Sequence, residues 1–353
     1  MRFTVEPGVF AAAVTTAAQG VPVNPAQPVR AAMYLEADDG IMTIAGSDGD
    51  VTFTGRCQIQ TAVAGQAVVP GRLFADVARN LPDAAVMVTA TDDLVSVEAG
   101  RARFFFRALP GPYPALAVPA PECGTVSAPD FADAVRKVAS TAAKTDSNPA
   151  YTSVVAETDW DTLELVASDR RQLAVAALKW VPENMPGQSC LIPAWAATRF
   201  SKGLTGDIAL GWDDRVVTLK SDTAEVTARL LEGDFPKWRT ILPEAEPDVI
   251  VDPAALSAAV RRAALTADGN APVTLTFTPG ELKVTAGGVA GESSEIIDSS
   301  YEGNFEALFG VQRLLDGLAG CDSTARIGFT APDKPFYIYS QGYRFMVLPR
   351  RPV

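Results

Sequence analysis

Three segments of the chain share one arrangement of hydrophobic and polar positions. Each starts with a short run of β-branched and apolar residues, passes through a proline, and continues with apolar residues at helical spacing. The segments are RFTVEP from Arg2, GTVSAP from Gly124 and VIVDP from Val249. Their prolines lie 122 and 124 residues apart. Because proline is well suited to the first helical position, each segment predicts a strand followed by a helix.

A second helix is predicted about sixty residues further on in each copy, as in VPGRLFADVARNLP around Pro70. Between the helices, segments such as Val51 to Thr54 and Leu275 to Thr278 alternate at period two, which is typical of antiparallel sheet with one exposed face. The first two copies share a G-x-aromatic-Pro turn, at residues 111–114 and 233–236. The six predicted helices span residues 7–18, 70–81, 129–144, 193–203, 253–266 and 310–319.

These patterns predict an α+β protein of three repeated domains, each with two helices packed on antiparallel sheet. A length of 353 residues suits two or three domains. The predicted boundaries are residues 1–119, 120–245 and 246–353. With 48% apolar and 20% charged residues the chain is expected to fold. No window reaches the roughly 18 consecutive apolar residues of a membrane span.

Few residues offer catalytic chemistry. The chain has no histidine, which is the commonest general base and metal ligand. Its four cysteines are far apart and form no C-x-x-C pair, so we expect reduced thiols in a cytoplasmic protein. Carboxylate pairs such as Asp92-Asp93 lie in turn-like sequence, and no phosphate loop, H-E-x-x-H or G-x-S-x-G motif occurs. We expect no catalytic residue, no metal and no cofactor.

The charge is unevenly distributed. The net charge of −12 argues against nucleic-acid binding, but the six predicted helices carry ten basic and four acidic residues, or +6, and leave −18 elsewhere. Such residues are often only the solvated face of a helix. If the helices face DNA, an acidic protein can still present a basic lining that contacts phosphates without reading sequence. The candidate DNA-facing residues are Arg72, Arg79, Arg136, Lys137, Arg199, Lys202, Arg261 and Arg262.

Over essentially its whole length the chain resembles the beta subunit of bacterial DNA polymerase III, the sliding-clamp family. The matching strings are GSDGD at Gly46, VVPGRLFADVARNLPD at Val68, SDRRQLAVA at Ser168, GDFPKWRTILP at Gly233 and FMVLPRR at Phe345. The resemblance implies a clamp fold and a head-to-tail homodimer. The dimer would be a ring that encircles duplex DNA and keeps a polymerase attached without performing chemistry.

The same resemblance implies two contact sites. Partners, including the polymerase and the clamp loader, would insert short peptides into a hydrophobic cleft. The cleft residues are Tyr151, Ser168, Arg170, Gln172, Leu173, Pro236, Ile241, Met346, Val347, Leu348, Pro349 and Arg350. At the dimer interface, Arg101, Arg103 and Phe104 of one protomer would meet Leu265, Glu292 and Glu295 of the other.

Two departures from the family pattern fall in the cleft. Gln172 stands where the family usually has arginine, and Arg350 stands where it usually has an aliphatic residue. They favour an alternative function: a specialised clamp paralogue, phage-encoded or an inhibitor-resistant copy, with altered cleft specificity. A second alternative is a peptide-binding scaffold that never encircles DNA, because fold alone does not fix function.

Overall fold

The structure is a computed structural model that describes residues 1–25, 28–109, 113–184, 189–202, 204–244, 246–269 and 271–351. The predicted turn residues Gly111 and Pro112, and the predicted helix end at Gly203, lie outside these ranges. Within them, no helix is long and apolar enough to cross a membrane. All four cysteines are free thiols, as the sequence predicts.

The six predicted helices are confirmed. They are α1 Pro7–Ala18, α2 Gly71–Arg79, α3 Ala128–Ala139, α4 Ala194–Phe200, α5 Pro253–Ala263 and α6 Val311–Ala319. Proline occupies the first turn of α1 and α5, and the Asp252 carboxylate caps α5 by accepting hydrogen bonds from the amides of Ala254 and Ala255 at 2.8 and 3.2 Å.

Four helices end earlier than predicted: α2 stops at Arg79 and α5 at Ala263, and α3 and α4 are shortened as well. α3 stops at Ala139, and the Ala143 amide donates to the Tyr151 carbonyl at 2.8 Å instead of continuing the helical ladder. α4 stops at Phe200. Lys144 and Lys202 therefore follow their helices. The six helices carry eight basic and four acidic residues, a net charge of +4 rather than the predicted +6.

Three short 3-10 helices, Pro28–Ala31, Pro149–Thr152 and Trp238–Thr240, and the strands form the remaining regular structure of the described residues. The predicted alternating segments are all strands. In chain order the strands are β1 Arg2–Val5, β2 Ala32–Asp38, β3 Ile41–Ser47, β4 Val51–Gln58, β5 Gln60–Val63, β6 Gly65–Pro70, β7 Val86–Ala90, β8 Leu94–Ala99, β9 Ala102–Arg107, β10 Gly124–Ser127, β11 Ser153–Asp159, β12 Thr162–Ser168, β13 Gln172–Lys179, β14 Val181–Pro182, β15 Ser189–Pro193, β16 Asp207–Trp212, β17 Val216–Lys220, β18 Ala224–Arg229, β19 Val249–Val251, β20 Pro272–Thr278, β21 Glu281–Gly288, β22 Gly291–Asp298, β23 Phe305–Gly310, β24 Ala325–Gly328, β25 Phe336–Ser340 and β26 Tyr343–Val347.

The chain divides into two compact units. Unit 1 consists of Met1–Pro129, Val181–Gly187 and Arg199–Leu230. Its strands form a five-stranded sheet in the order β5-β1-β7-β8-β9 and a nine-stranded sheet in the order β14-β10-β16-β17-β18-β4-β3-β2-β6. All the pairings are antiparallel. The nine-stranded sheet joins β18 of the second repeat to β4 of the first.

In unit 1, α1 lies directly on strands β3 and β4. A Cβ atom on Gly55 would come within 2.1 Å of the Ala13 carbonyl, and one on Gly46 within 2.3 Å of the Ala17 carbonyl. Glycine on the strands and alanine on the helix therefore allow the backbones to approach closely. The buried rings of Phe10 and Phe74 meet edge to face beside them.

Unit 2 consists of Asp130–Trp180, Gln188–Thr198 and Leu231–Val353. Its strands form an eight-stranded sheet in the order β15-β11-β12-β13-β26-β25-β24-β19 and a four-stranded sheet in the order β22-β21-β20-β23. Here α6 also packs closely on a strand, β26, but in this unit the glycines lie on the helix side and the large side chains on the strand. A Cβ atom on Gly317 would meet the buried ring of Phe345, and one on Gly320 that of Tyr343.

Candidate functional site

One face of the eight-stranded sheet carries a hydrophobic cluster that includes several predicted cleft residues. Leu173 on β13 lies directly opposite Met346 on β26, and Ile241 packs against the same cluster. The other members are Val155, Val166, Val175, Leu191, Phe235, Trp238, Leu242, Tyr337 and Tyr339. Aliphatic side chains from β12, β13 and β26 thus cover this face of the sheet. The surface along the partly exposed edge of the cluster is the candidate groove, and the segment from Phe235 to Leu242 bounds it on one side as a wall.

Trp238 anchors this wall. Its indole is buried, and the indole N–H donates to the Glu157 carboxylate at 3.2 Å. The guanidinium groups of Arg239 and Arg344 lie over the indole, 4.2 and 5.2 Å from the ring centroid. Arg239 also pairs with the carboxylates of Glu157 and Glu164. The segment from Phe235 to Leu242 is therefore held on β11 and β12 by the burial of the Trp238 indole and by hydrogen bonds to the charged carboxylates of Glu157 and Glu164.

A second wall comes from the residues around Tyr151. Arg170, in the left-handed region at φ 73°, places its guanidinium 4.1 Å from the centroid of the Tyr151 ring, and that ring contacts Phe235. Asp146 accepts two hydrogen bonds from the Arg170 guanidinium, at 2.7 and 3.0 Å. These bonds, and one from the Asn148 amide, lower the pKa of Asp146 to about 2. Arg170 is thus held in place at the rim of the groove.

We expect Arg170→Ala to raise the pKa of Asp146 towards its ordinary value of 3.8, because the arginine is the largest cause of the lowering. A lowered folded-state pKa stabilises the protein fully above the ordinary value, and this stabilisation is lost as the pH falls from about 4 towards 2. NMR titration of the Asp146 carboxyl carbon in both proteins measures the shift. An unchanged pKa in the variant would show that Arg170 does not hold this carboxylate.

The Gly233 turn connects the two walls. The Asn148 side-chain amide donates to the Asp234 carbonyl at 3.0 Å, and its oxygen accepts from the Ala150 amide at 3.0 Å. Gly233 has φ 143°, and a Cβ atom there would lie 2.1 Å from the Asn148 side-chain oxygen. Only glycine fits this approach, which explains why the G-x-aromatic-Pro turn begins with it.

The C-terminal residues complete the groove. The Leu348 amide donates to the Arg171 carbonyl at 2.9 Å, so the chain continues the pairing of β26 with β13. The Leu348 side chain remains 39% exposed. Ser168 lies opposite Leu173, and its hydroxyl donates to the Gln172 carbonyl at 2.8 Å. Pro236 and Pro349 are half-buried. The candidate groove therefore consists of a buried apolar cluster with partly exposed aliphatic residues, Ile241 and Leu348, along its edge.

Two of the predicted cleft residues need correction. Gln172 and Val347 lie opposite each other and are buried, one position along from Leu173 and Met346. Because side chains alternate along a strand, these two point to the other face of the sheet. There Gln172 hydrogen-bonds the Asp316 carboxyl, whose pKa is raised chiefly by burial.

Arg350 pairs with β23 through its amide, which donates to the Leu308 carbonyl at 2.7 Å, and its place at the cleft rim stays a prediction. The structure therefore ties Arg350 to the four-stranded sheet. Of the two departures from the family pattern, neither belongs to the apolar cluster.

The cluster also includes or contacts residues that the sequence did not predict as cleft residues, among them Phe235, Trp238, Leu242 and Tyr337. The repeated G-x-aromatic-Pro turn was the signal for Phe235. No pattern identified Trp238, because the segment from Lys237 to Leu242 has neither helical nor strand periodicity.

The predicted DNA-facing side chains differ in their environment. All except Lys137 are exposed. Three of the arginines form ion pairs with nearby carboxylates: Arg79 with Asp76, Arg136 with Asp133, and Arg262 with Glu295. The Arg199 guanidinium donates to the Gln19 carbonyl at 2.7 Å. Within the described ranges, no ion pair involves the side chains of Arg72, Lys202 or Arg261.

Lys137 is the exception. Its side chain is only 8% exposed, and its ammonium lies 2.9 Å from the Asp133 carboxylate and 3.5 Å from that of Asp322. A lysine that is buried and neutralised in this way is not available to a phosphate. We therefore leave Lys137 out of the DNA-facing set.

The predicted interface residues lie on or beside two edge strands. β9, with Arg103 and Phe104, is the last strand of the five-stranded sheet, and β22, with Glu292 and Glu295, is the first of the four-stranded sheet. Leu265, just after α5, is 85% exposed. The sequence list missed two large apolar side chains on the same edges, Phe105 and Ile296, which are 63% and 57% exposed.

Three repeats, each with two helices on antiparallel sheet, define a clamp-type architecture, and the comparisons agree. The N-terminal, central and C-terminal domain models of the DNA polymerase III beta subunit match residues 1–117, 125–237 and 239–345. The chain is 34% identical to the Beta sliding clamp of Streptomyces coelicolor, over 99% of both sequences. It therefore belongs to the DNA polymerase III beta subunit, or beta sliding clamp, family.

Other relatives and solved structures agree with this assignment. The chain is 36% identical to the Beta sliding clamp of Micrococcus luteus, over 81% of this chain and 95% of the relative. It is 33% identical to the "Beta sliding clamp homolog GriR" of Streptomyces muensis, over 94% and 91%. The fold matches the DNA polymerase sliding clamp from Bacillus subtilis with a TM-score of 0.92 at 21% identity, over 100% of both chains.

Proposed function

We propose that this protein is a processivity factor: a ring-shaped homodimeric clamp that encircles duplex DNA and tethers a polymerase without catalysing a reaction. The observation that carries the proposal is a pair of complementary unpaired sheet edges, β9 and β22, in a chain of the sliding-clamp family. The protein would work in the cytoplasm, where the DNA and its polymerase are found.

The internal repeat supplies the template for closing the ring. In unit 1, five strands of the second repeat join four strands of the first through the antiparallel pair β18 and β4. The five-stranded sheet of the first repeat has β9 in the place of β18, and the four-stranded sheet of the third has β22 in the place of β4. Pairing β9 with the partner's β22 would make another nine-stranded sheet. Each protomer offers both edges, so two such contacts close a dimer.

The register of the template specifies the contacts. β18 places Glu225 opposite Thr54 and Thr227 opposite Thr52. Transferred through the matching hairpins, this register puts Arg103 opposite the partner's Ser294 and Phe105 opposite the partner's Glu292. Arg103 and Arg107 would then flank Glu292 on one face of the sheet, which is a favourable charge arrangement.

On the other face, Phe104 would lie opposite the partner's Ser293. The Thr266 hydroxyl is 2.9 Å from the Ser293 hydroxyl in the same chain, so the end of α5, with the exposed Leu265, lies beside this position. Phe104 and the partner's Leu265 would therefore bury each other. This contact agrees with the interface pair that the family resemblance implies.

The six helices would line the hole. Their net charge of +4 contrasts with −12 for the whole chain, so a positive lining is compatible with an acidic protein. The exposed side chains of Arg72, Arg261 and Lys202 can reach phosphates without breaking an ion pair within the described ranges. Contacts of this kind carry no sequence information, as a sliding ring requires.

We expect the triple variant Arg72→Ala, Arg261→Ala, Lys202→Ala to weaken binding to a short duplex and to flatten its salt dependence. Each lost phosphate contact lowers the slope of log K against log salt by roughly 0.9. Fluorescence anisotropy at several salt concentrations measures both effects. Lys179→Ala, which removes an exposed lysine from β13, is the control. A slope equal to that of the unaltered protein would exclude these residues from the lining.

The groove on the eight-stranded sheet is the proposed peptide site. Partner peptides, including those of the polymerase and the clamp loader, would place aliphatic or aromatic side chains against the partly exposed Ile241, Tyr337 and Leu348, beside the buried Leu173 and Met346. Burying one such side chain contributes about 1.5–3 kcal/mol. Most side chains of the cluster are already buried in the free protein, so few of them lose freedom when a peptide binds.

The nine-stranded sheet shows why the corresponding face of unit 1 is not a second copy of this groove. Matching strand registers place Thr52 and Thr227 where unit 2 has Leu173 and Met346. Thr218 stands in the position of Tyr337; its hydroxyl is 3.2 Å from that of Thr227 and accepts from the Ala120 amide at 2.9 Å. These buried hydroxyls bind one another and the chain above them, which leaves no aliphatic floor.

The test is topological. The protein should have a solution mass near twice its 37.2 kDa chain mass by light scattering. After loading by a clamp loader and ATP onto nicked circular DNA, it should remain bound until the circle is cut. A dimer that binds linear and circular DNA equally would overturn the ring. Specialisation as a paralogue with altered cleft specificity, and the domain boundaries at residues 119 and 245, stay predictions.

A further inference from the structure

Unit 1 contains an open cavity of about 830 Å³, here called the Tyr34 cavity. It lies over the β2–β6 edge of the nine-stranded sheet, and the residues that matter for its chemistry are Tyr34, Glu36, Val68, Asp92, Tyr113 and Leu116. Two tyrosine rings, 6.1 Å apart between centroids, form part of its wall. Two exposed carboxylates, those of Glu36 and Asp92, lie in its lining, which also includes Met1, whose terminal ammonium donates to the Ala90 carbonyl at 3.0 Å. The cavity is separate from the groove proposed above, all of whose residues belong to unit 2.

The repeat identifies the equivalent place in unit 2. β2 pairs with β6 in the same register in which β11 pairs with β15, so Tyr34, Glu36 and Val68 correspond to Val155, Glu157 and Leu191. The shared turn aligns Tyr113 with Phe235, and hence Leu116 with Trp238 and Ala117 with Arg239. Ala120 and Leu242, both buried, also correspond.

In unit 2 this place is filled by the chain itself. The Trp238 indole lies buried over the sheet and donates to Glu157, while Arg239 pairs with the same carboxylate. In unit 1 the carboxylate acceptor is present as Glu36. The positions of Trp238 and Arg239, however, are occupied by the half-buried Leu116 and by Ala117. The volume of an indole and the charge of a guanidinium are therefore both missing.

We propose that the Tyr34 cavity is a second peptide-docking site, which takes an aromatic residue followed by a basic residue from a partner protein. The aromatic ring would pack on Tyr34, Val68 and Leu116, as Trp238 packs on its own sheet. Its N–H or O–H would donate to Glu36, and the basic side chain would pair with Glu36 and Asp92. The side chains that fill this place in unit 2, Trp238 and Arg239, thus indicate which partner residues the Tyr34 cavity would bind.

The probe is a fluorescein-labelled peptide with the sequence of residues 233–243, GDFPKWRTILP, which carries the Trp-Arg pair. Its anisotropy is measured against the full-length protein. We expect saturable binding that weakens at least tenfold in Glu36→Gln and at least tenfold when the peptide's tryptophan is replaced by alanine. Leu348→Ala, which alters the groove in unit 2, should leave this binding unchanged. Loss of binding in Leu348→Ala alone would assign the peptide to the groove and overturn the proposal.

A second variant fills the cavity from within. Leu116→Trp with Ala117→Arg restores the pair that unit 2 has, so we expect a blue-shifted emission from the new tryptophan and loss of peptide binding. A red-shifted emission with peptide binding retained would contradict the proposed equivalence. The proposed clamp function does not depend on either outcome, because DNA retention and polymerase binding are measured separately on the same variants.

Discussion

Arg103→Glu is expected to convert the dimer into monomers at micromolar concentrations. In the transferred register Arg103 lies next to the partner's Glu292, and the reversal places two negative charges together at both contacts of the ring. Like charges juxtaposed in an interface cost several kcal/mol, so the dissociation constant should rise at least about 100-fold. Light scattering across a dilution series measures the mass, and the monomer should not be retained on circular DNA.

The reciprocal change provides the rescue. Glu292→Arg alone should also give monomers, while the double variant Arg103→Glu, Glu292→Arg should recover part of the lost affinity. The pair between positions 103 and 292 is restored with its signs exchanged, although Arg107 and Glu98, which pairs with Arg103 at 3.3 Å, keep their charges. Lys179→Glu is the matched control: it reverses an exposed charge on β13, a strand whose two neighbours both belong to its own chain. If the double variant stays as monomeric as either single variant, these two residues do not face each other.

The double variant Ile241→Ala, Leu348→Ala should weaken polymerase binding about 100-fold. Both side chains lie at the edge of the groove and are partly exposed, so a peptide would bury them on binding. Losing about 1.4 kcal/mol of apolar contact at each corresponds to a factor of ten per residue. Biolayer interferometry with the polymerase subunit of DNA polymerase III measures the change. The dimer mass should not change.

Leu94→Ala is the matched control for this prediction. Leu94 is 40% exposed, against 39% for Leu348, but it lies on β8, outside the cluster that forms the groove. Its loss should leave polymerase affinity within about twofold of the unaltered protein, because it removes a similar exposed area elsewhere. Equal weakening by the control and by the double variant would mean that the groove is not the polymerase site.

The alternation of side chains along a strand shows why the sequence could not specify which residues line the groove. Leu173 and Gln172 are neighbours in one matching string, yet only Leu173 faces the groove, because adjacent side chains on a strand point to opposite faces. Which face is outward depends on where α6 packs, and the contacts of Gly317 and Gly320 with Phe345 and Tyr343 fix this. A resemblance carried over residue by residue contains no information about that choice.

The helix ends also show which features local sequence sets and which depend on distant residues. Proline fixed the starts of α1 and α5 from the sequence, because its backbone angle suits the first turn. The end of α3 depends on a hydrogen bond from Ala143 to Tyr151, eight residues further on. Trp238 gave no periodic signal, since its position depends on Glu157, more than eighty residues before it in the chain.

The sequence by itself determined the threefold repeat, the α+β class, the six helices and the family, because these follow from local periodicity and from strings of neighbouring residues. The tertiary structure decided which side chains share a face, which charges are already paired, as for Lys137, and which sheet edges are left open. It also joined strands of different repeats into the nine-stranded and eight-stranded sheets, so that the compact units do not coincide with the repeats. These properties depend on residues far apart in the chain, and their free energy comes from burial and pairing that exist only after folding.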